Sequence, residues 1–171
     1  MRGFMGRFGV SALAGLVLLS AAAGAAEKEK GGKKVPLDKV PKKVMDAVKA
    51  RFPGARITSV EKETADGKVV YDIELTQKGR KYEMDILEDG TVLEVEKEVP
   101  AKDVPEAVTK ALKAKYPGAT VKVVMEVNKV KDRKETPDHY EVTLETADKK
   151  EVEVIVSLDG KTVKGPGGDK K

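Results

Sequence analysis

The sequence predicts an α+β fold of two tandem repeats, each a helix followed by four antiparallel strands, in which the repeats share one sheet and both helices lie on one face. Three observations support this fold class. The same residue pattern occurs twice at a constant offset of 64 positions, so that Pro53 corresponds to Pro117. In each copy the apolar residues first follow a helical period, and they then alternate with polar residues as in strands.

The recurring residues mark helix ends and core positions rather than catalytic groups. They are Val35-Pro36, Val40-Pro41, Val44, Ala47 and Pro53-Gly54-Ala55 in the first copy, and Val99-Pro100, Val104-Pro105, Val108, Ala111 and Pro117-Gly118-Ala119 in the second. A repeat of about 65 residues is marginally stable alone, and the chain has no cysteine for disulfides. We therefore expect the two repeats to share one core.

Residues 1–25 have the pattern of a secretory signal peptide. Arg2 and Arg7 are positively charged, an apolar run follows, and Ala23-Gly24-Ala25 forms a cleavage site of small residues. The apolar run is too short to span a membrane, and without cysteine there is no lipid anchor. The expected product is periplasmic or secreted, with no stable membrane anchor after cleavage.

The chain after the signal peptide divides into four predicted segments. These are a charged linker at 26–34, a first repeat at 35–98, a second repeat at 99–164 and a flexible tail at 165–171. Each repeat is expected to open with an amphipathic helix, because a proline that suits a first helical turn precedes the apolar stripe and Pro-Gly ends it. The stripes are Val40, Val44, Ala47, Val48 and Phe52, and Val104, Val108, Ala111, Leu112 and Tyr116.

Three two-residue turns separate the strands of the first repeat, namely Asp66-Gly67, Lys78-Gly79 and Asp89-Gly90. Such pairs are strong hairpin signals, and their positions predict the pairing of the strands. The predicted core-face pairs are Leu75 with Tyr82, Ile73 with Met84, Tyr71 with Ile86, Ile86 with Leu93, and Met84 with Val95. Every pair is apolar, which supports this register.

The second repeat differs from the first in one connection. Its strands are predicted at 121–128, 140–146, 152–157 and 161–164, and the loop 128–138 joins the first two. This loop carries four basic residues, which are Lys129, Lys131, Arg133 and Lys134. It is a candidate contact loop, and the alternative is a tolerated surface insertion.

Acidic residues line the sheet face opposite the predicted core. The register places Glu61, Asp72, Asp85 and Glu94 in one row across the strands, and Ser59, Glu74, Glu83 and Glu96 in the next. Like charges on neighbouring strands are destabilising, and function is one explanation for such a violation. The alternatives are a solvated face whose carboxylates reach flanking lysines, a surface for a basic partner, or a calcium site with Asp72 and Asp85 as candidate ligands.

The composition argues against two classes of function. The 33 basic and 29 acidic side chains nearly balance, and with 4% aromatic residues there is no stacking platform for nucleic acid. The single histidine, His139, alternates with Tyr140 and is predicted to be solvated on the acidic side of the sheet. No nucleophile-elbow pattern surrounds Ser59 or Ser157, and no zinc set is available. We predict that the protein is not an enzyme.

The signal-peptide pattern precedes two units, each of which opens with Val-Pro and ends its helix with (Phe/Tyr)-Pro-Gly-Ala. This arrangement resembles the bacterial PepSY-like family, which is related in plan to the β-lactamase inhibitory protein. The resemblance covers Val35 to about Lys164. It implies one continuous antiparallel sheet and a secreted binding or inhibitory role.

Two functional hypotheses follow. The first is an exported non-enzymatic binding module, such as an inhibitor or regulator of a protein or peptidase. It would use the open sheet face and the loop 128–138 to hold an envelope or extracellular protein or peptide. The second is a calcium-responsive envelope module that would use the acidic sheet face.

Overall fold

The structure is a computed structural model in which residues 32–165 are described. Within this range the chain forms one antiparallel sheet of nine strands, ordered as they occur in the sequence. This confirms the predicted α+β class. The signal peptide, most of the linker and nearly all of the C-terminal tail lie outside the described residues.

The elements follow one another in a simple meander. In chain order they are β1 (Lys33–Lys34), α1 (Lys42–Arg51), β2 (Arg56–Ala65), β3 (Lys68–Gln77), β4 (Arg80–Leu87), β5 (Val92–Glu98), α2 (Glu106–Lys115), β6 (Thr120–Lys131), β7 (Lys134–Glu145), β8 (Glu151–Ser157) and β9 (Val163–Lys164). A short 3₁₀ turn precedes each helix, at Leu37–Lys39 and Ala101–Asp103.

The two helices are built alike. Pro41 and Pro105 precede them with nearly the same extended backbone, at φ −55° and ψ 140° for Pro41 and φ −56° and ψ 140° for Pro105. Phe52 and Tyr116 end them with matching angles, since the following Pro-Gly cannot continue a helix. The boundaries of the repeats themselves stay a prediction.

Most of the buried apolar residues form two clusters on the helix side of the sheet, so the expected single core is wrong. One cluster centres on α1 with β3 and β4, and the other on α2 with β7 and β8. Where β5 meets β6, the helix side carries the polar pair Lys97 and Glu126, next to Val95 and Asn128. These polar groups separate the two clusters within one continuous sheet.

The predicted register is confirmed between β3 and β4 and partly between β4 and β5. Leu75–Tyr82, Ile73–Met84, Tyr71–Ile86 and Met84–Val95 are Cα partners. The remaining pair is wrong, because a register shift after Asp85 places Ile86 opposite Val92 instead of Leu93. In the connecting loop the Leu87 N–H donates a hydrogen bond of 2.8 Å to the Thr91 carbonyl oxygen, and Gly90 has a φ of +89°. Both features occur in longer hairpin loops that end in a bulge.

Two segment assignments need correction. Lys33 and Lys34, expected in the linker, form β1 and pair with β2, so the first repeat has a strand before its helix. The segment 128–138 is a strand hairpin rather than a loop, because β6 and β7 stay paired as far as Lys131 and Lys134. Only Asp132 and Arg133 turn the chain, both with positive φ.

Gly90 and Gly160 are expected to be the least replaceable turn glycines. Both have positive φ, and a Cβ there would lie 2.9 Å from the Lys43 carbonyl oxygen and 2.6 Å from the Ala107 carbonyl oxygen. Gly79 has a similar φ of +78°, with nothing within 4 Å of such a Cβ. Gly79→Ala therefore measures only the free-energy cost of placing a side chain at positive φ, about 1–2 kcal/mol.

We expect Gly90→Ala and Gly160→Ala to lower the free energy of unfolding by about 1–3 kcal/mol more than Gly79→Ala, because the new methyl group must displace the helix backbone. Urea denaturation of the three variants measures the difference. Equal losses in the free energy of unfolding for all three variants would show that a methyl group at these turns does not displace the helix backbone.

Candidate functional site

The structure brings the predicted acidic residues together in the predicted rows. Glu61, Asp72, Asp85 and Glu94 are successive partners across β2 to β5, and Ser59, Glu74, Glu83 and Glu96 form the neighbouring row. Adjacent strands lie about 4.8 Å apart, so each row sets carboxylates side by side. We call the set Glu61, Asp72, Glu74, Glu83, Asp85, Glu94 and Glu96 the acidic face.

Two further glutamates extend this side of the sheet into the second repeat. Glu141 on β7 is the partner of Met125, and Glu153 on β8 is the partner of Thr143. Sequence reasoning missed both, although the signal was present. Glu141 alternates with the buried Tyr140 and Val142, so the register argument used for the first repeat would have placed it here.

The prediction that solvent surrounds the acidic face is wrong at the centre of the sheet. Glu94, Glu96 and Glu141 are 1%, 4% and 1% exposed. β5 has four strands on each side of it, so its side chains lie among those of the strands on both sides. The other members of the acidic face are half-buried. His139, predicted to be solvated, is 8% exposed, because it is the partner of the buried Val127.

The buried carboxylates are only partly satisfied. Lys129 Nζ donates to Glu94 Oε1, and His139 lies between Asp138 and Glu141, with Nδ1–Oδ2 of 2.7 Å and Nε2–Oε1 of 2.9 Å. No group among residues 32–165 donates a hydrogen bond to the second oxygens of Glu94, Glu96 and Glu141 or to Asp72 Oδ1. Buried polar atoms are normally paired, so each of these is a costly exception.

Burial and neighbouring carboxylates raise the pKa values on this side of the sheet. Burial, then repulsion from Glu74 and Glu141, raises the pKa of Glu83 to about 8. Burial, with Glu141 second, raises the pKa of Glu153 to about 7. The same causes raise the pKa values of three more acids, which are Asp72, Glu94 and Glu96. Part of the acidic face therefore holds protons near neutral pH.

His139 is subject to opposing effects. Burial acts to lower its pKa, but the hydrogen bonds to Glu141 and Asp138 outweigh burial and raise the pKa above its usual value. The charged imidazolium is thus favoured by the two carboxylates that hold it.

The basic residues predicted as a contact loop are divided between two places. Lys129 is half-buried beside Glu94, whereas Lys131, Arg133 and Lys134 are exposed at the hairpin tip. Glu135 ties the base of this tip to the first repeat, because it forms ion pairs with Arg51 of α1 and Lys97 of β5. The predicted contact loop is therefore the end of a strand hairpin whose base is held against the first repeat.

The calcium alternative gains no support from the geometry. Within residues 32–165, no three His, Cys, Asp or Glu side chains converge on a position that could hold a metal ion. Asp72 and Asp85 are partners across two strands, but flat strand rows do not supply the 6–8 oxygens that calcium prefers. Neither helix in the described part of the chain has the length and apolar character to cross a membrane.

Two family models match the chain. Residues 69–164 match the family described as "Putative beta-lactamase-inhibitor-like, PepSY-like", and residues 41–96 match the "Peptidase propeptide and YPEB domain" family, PepSY. Among curated proteins, none matches significantly.

Solved structures of similar fold come from Bacteroides species. A protein of B. eggerthii described as "putative periplasmic" has a TM-score of 0.56 at 15% identity, covering 74% of this chain and 88% of that one. A BLIP-like protein of B. fragilis has a TM-score of 0.50 at 24% identity, covering 77% and 91%. A DUF2874 protein of B. uniformis has a TM-score of 0.54 at 18% identity, covering 73% and 88%. At these identities the likeness shows the fold alone.

Proposed function

The chain belongs to the beta-lactamase-inhibitor-like, PepSY-like family, and from this premise we propose that it is an exported, non-enzymatic binding module whose acidic face holds a basic segment of a protein or peptide partner. The descriptions of the two matching families name an inhibitor-like module and a peptidase propeptide, which fits a binding or regulatory role. The "putative periplasmic" relative of similar fold and the signal-peptide pattern support a location in the envelope or outside the cell.

The main evidence for this proposal is the strand register, which places the carboxylates of the acidic face side by side. Seven carboxylates stand in two adjacent rows, and several of their buried oxygens accept no hydrogen bond from the described residues. Burial raises the pKa values of several of these groups, and repulsion between the ionised neighbours raises the free energy of the unbound protein. A cationic partner would remove this repulsion, and complementary charge also speeds association and selects the partner.

The hairpin tip supplies a second contact region of opposite charge. β6 and β7 continue past the last pair with β5, Glu94–Lys129, and end in the exposed Lys131, Arg133 and Lys134. A partner that places a basic segment on the acidic face could set an acidic group against this tip. The ion pairs of Glu135 hold the tip in position for such a contact.

Calorimetric titration with oligolysine tests the proposal. We expect oligolysine to bind and oligoglutamate not to bind, with an affinity that falls as salt is added. The double variant Glu74→Gln/Glu83→Gln should weaken oligolysine binding about tenfold or more. Glu88→Gln/Glu106→Gln makes the same two replacements at exposed positions away from the acidic face and should have little effect.

Equal losses in the two double variants, or no binding of oligolysine at low salt, would contradict the proposal. A rise in melting temperature with calcium chloride beyond that with sodium chloride of equal ionic strength would instead favour the calcium alternative.

A further inference from the structure

Three glutamates of the acidic face stand directly opposite one another on β3, β4 and β5. Glu83 is the Cα partner of Glu74 on one side and of Glu96 on the other, and residues opposite each other in antiparallel strands have Cβ atoms about 4.5–5.5 Å apart. Glu96 is 4% exposed, whereas Glu74 and Glu83 are half-buried. We call these three residues the glutamate row.

The glutamate row has no basic side chain opposite either of its ends. Ser59 on β2 is the partner of Glu74, and Val127 on β6 is the partner of Glu96. Among residues 32–165, no ion pair includes a member of the row, and Glu96 Oε2 accepts no hydrogen bond from these residues. The described part of the chain therefore leaves the negative charge of the row without a paired cation.

The charged groups that surround the row on the same side of the sheet are mostly acidic. The acidic ones are Glu61, Asp72, Asp85, Glu94, Glu98, Glu141 and Glu153. The basic ones are Lys81, Lys129 and His139. Lys129 is bound to Glu94, His139 is bound to Glu141, and the side chain of Lys81 is exposed. The surroundings therefore add to the negative charge of the row.

Carboxylates held side by side with little water do not all ionise together, because each charge raises the cost of the next. Burial, followed by repulsion from Glu74, accordingly raises the pKa of Glu83 to about 8. Burial, followed by repulsion from Glu141, also raises the pKa of Glu96. A cation that approaches the row has the opposite effect, since a nearby positive charge favours the ionised carboxylate.

We propose that binding of a basic segment is linked to release of a proton from the glutamate row, so that pH regulates the acidic face. In the free protein near neutral pH, a carboxyl O–H of the row holds the proton. When the cationic segment binds, this O–H bond breaks, the proton passes to the solvent, and the carboxylate faces the cation. This inference rests on the proposed function, in which the partner is basic, and adds that affinity increases with pH.

Calorimetric titration with oligolysine in two buffers of different ionisation enthalpy, Pipes and Tris, counts the protons released. At pH 7 and low salt we expect release of about one proton for each protein saturated with oligolysine. The affinity should increase about tenfold between pH 6 and pH 8, because the proton must be removed at the lower pH. Lysine side chains keep their charge over this range, since their pKa is about 10.4.

Glu83→Gln removes the centre of the glutamate row. It should abolish most of the proton release and leave an affinity that changes less than about twofold from pH 6 to pH 8. The matched control is Glu61→Gln, which removes a carboxylate of the acidic face outside the row, opposite Lys34. It should weaken binding but keep the proton release and the pH dependence. Thermal melts establish that both variants are folded.

The possible failures separate the two proposals. Binding of oligolysine without proton release, at an affinity that is the same from pH 6 to pH 8, overturns the proton linkage and leaves the acidic face as a basic-partner surface. Proton release that is unchanged in folded Glu83→Gln overturns the assignment to the glutamate row. No binding of oligolysine at any of the three pH values overturns the proposed function and the linkage together.

Discussion

Raising the pH from 5 to 9 is expected to lower the free energy of unfolding by roughly 2–5 kcal/mol, because several buried acids hold protons only in the folded protein. The pKa of Glu83 rises from 4.5 to about 8 and that of Glu153 to about 7 on folding. Between the unfolded and folded pKa values the native state binds more protons than the unfolded chain, so stability falls as pH rises.

Other titrating groups do not reverse this trend. The raised pKa of His139 acts in the same direction, since the stability it contributes is lost as pH rises through its folded value. Glu145 and Asp159 have pKa values lowered to about 2 by hydrogen bonds, and the stability they contribute is lost only in acid, below the window considered. The greatest stability is therefore expected near pH 5.

Urea denaturation at pH 5, 7 and 9 measures this slope. Glu83→Gln removes the group with the pKa of about 8 and should flatten the upper part of the profile while stabilising the protein at pH 9. The control Glu88→Gln, at an exposed position, should leave the slope unchanged. A stability that is constant or increases up to pH 9 would mean that the acidic face is solvated and titrates normally.

Replacing Ile73 or Met84 by alanine is expected to cost about 2–5 kcal/mol of stability, as for other large-to-small changes in a core. The two side chains are partners across β3 and β4 and are 0% and 1% exposed. They lie in the cluster that α1 covers, so the lost volume leaves a cavity beneath the helix.

The exposed Leu37 provides the control for this measurement. It is 52% exposed, so Leu37→Ala should change the free energy of unfolding by less than about 0.5 kcal/mol. Denaturant midpoints of the three variants compare the sites. Losses below about 1 kcal/mol at both Ile73 and Met84 would show that the sheet has slipped from this register.

Most of the first repeat could be predicted because its signals are local. The proline before α1 and the Pro-Gly after it delimit the helix, and the period of two defines which strand residues share a face. The turns then set the register from Leu75–Tyr82 to Met84–Val95. The prediction went wrong at Leu93, where a longer loop shifts the pairing of β5 by one residue, and at β1, whose two lysines carry no strand pattern.

The sequence by itself determined that the acidic residues share one face and that they form two rows, because alternation and turn positions are properties of the chain. Only the tertiary structure decided how deeply they lie. Burial depends on how many strands flank a residue, and the pairing of β5 with β6 places Glu94 and Glu96 at the middle of a nine-stranded sheet, on the same side as Glu141. These contacts join residues far apart in the sequence, so no local pattern records them.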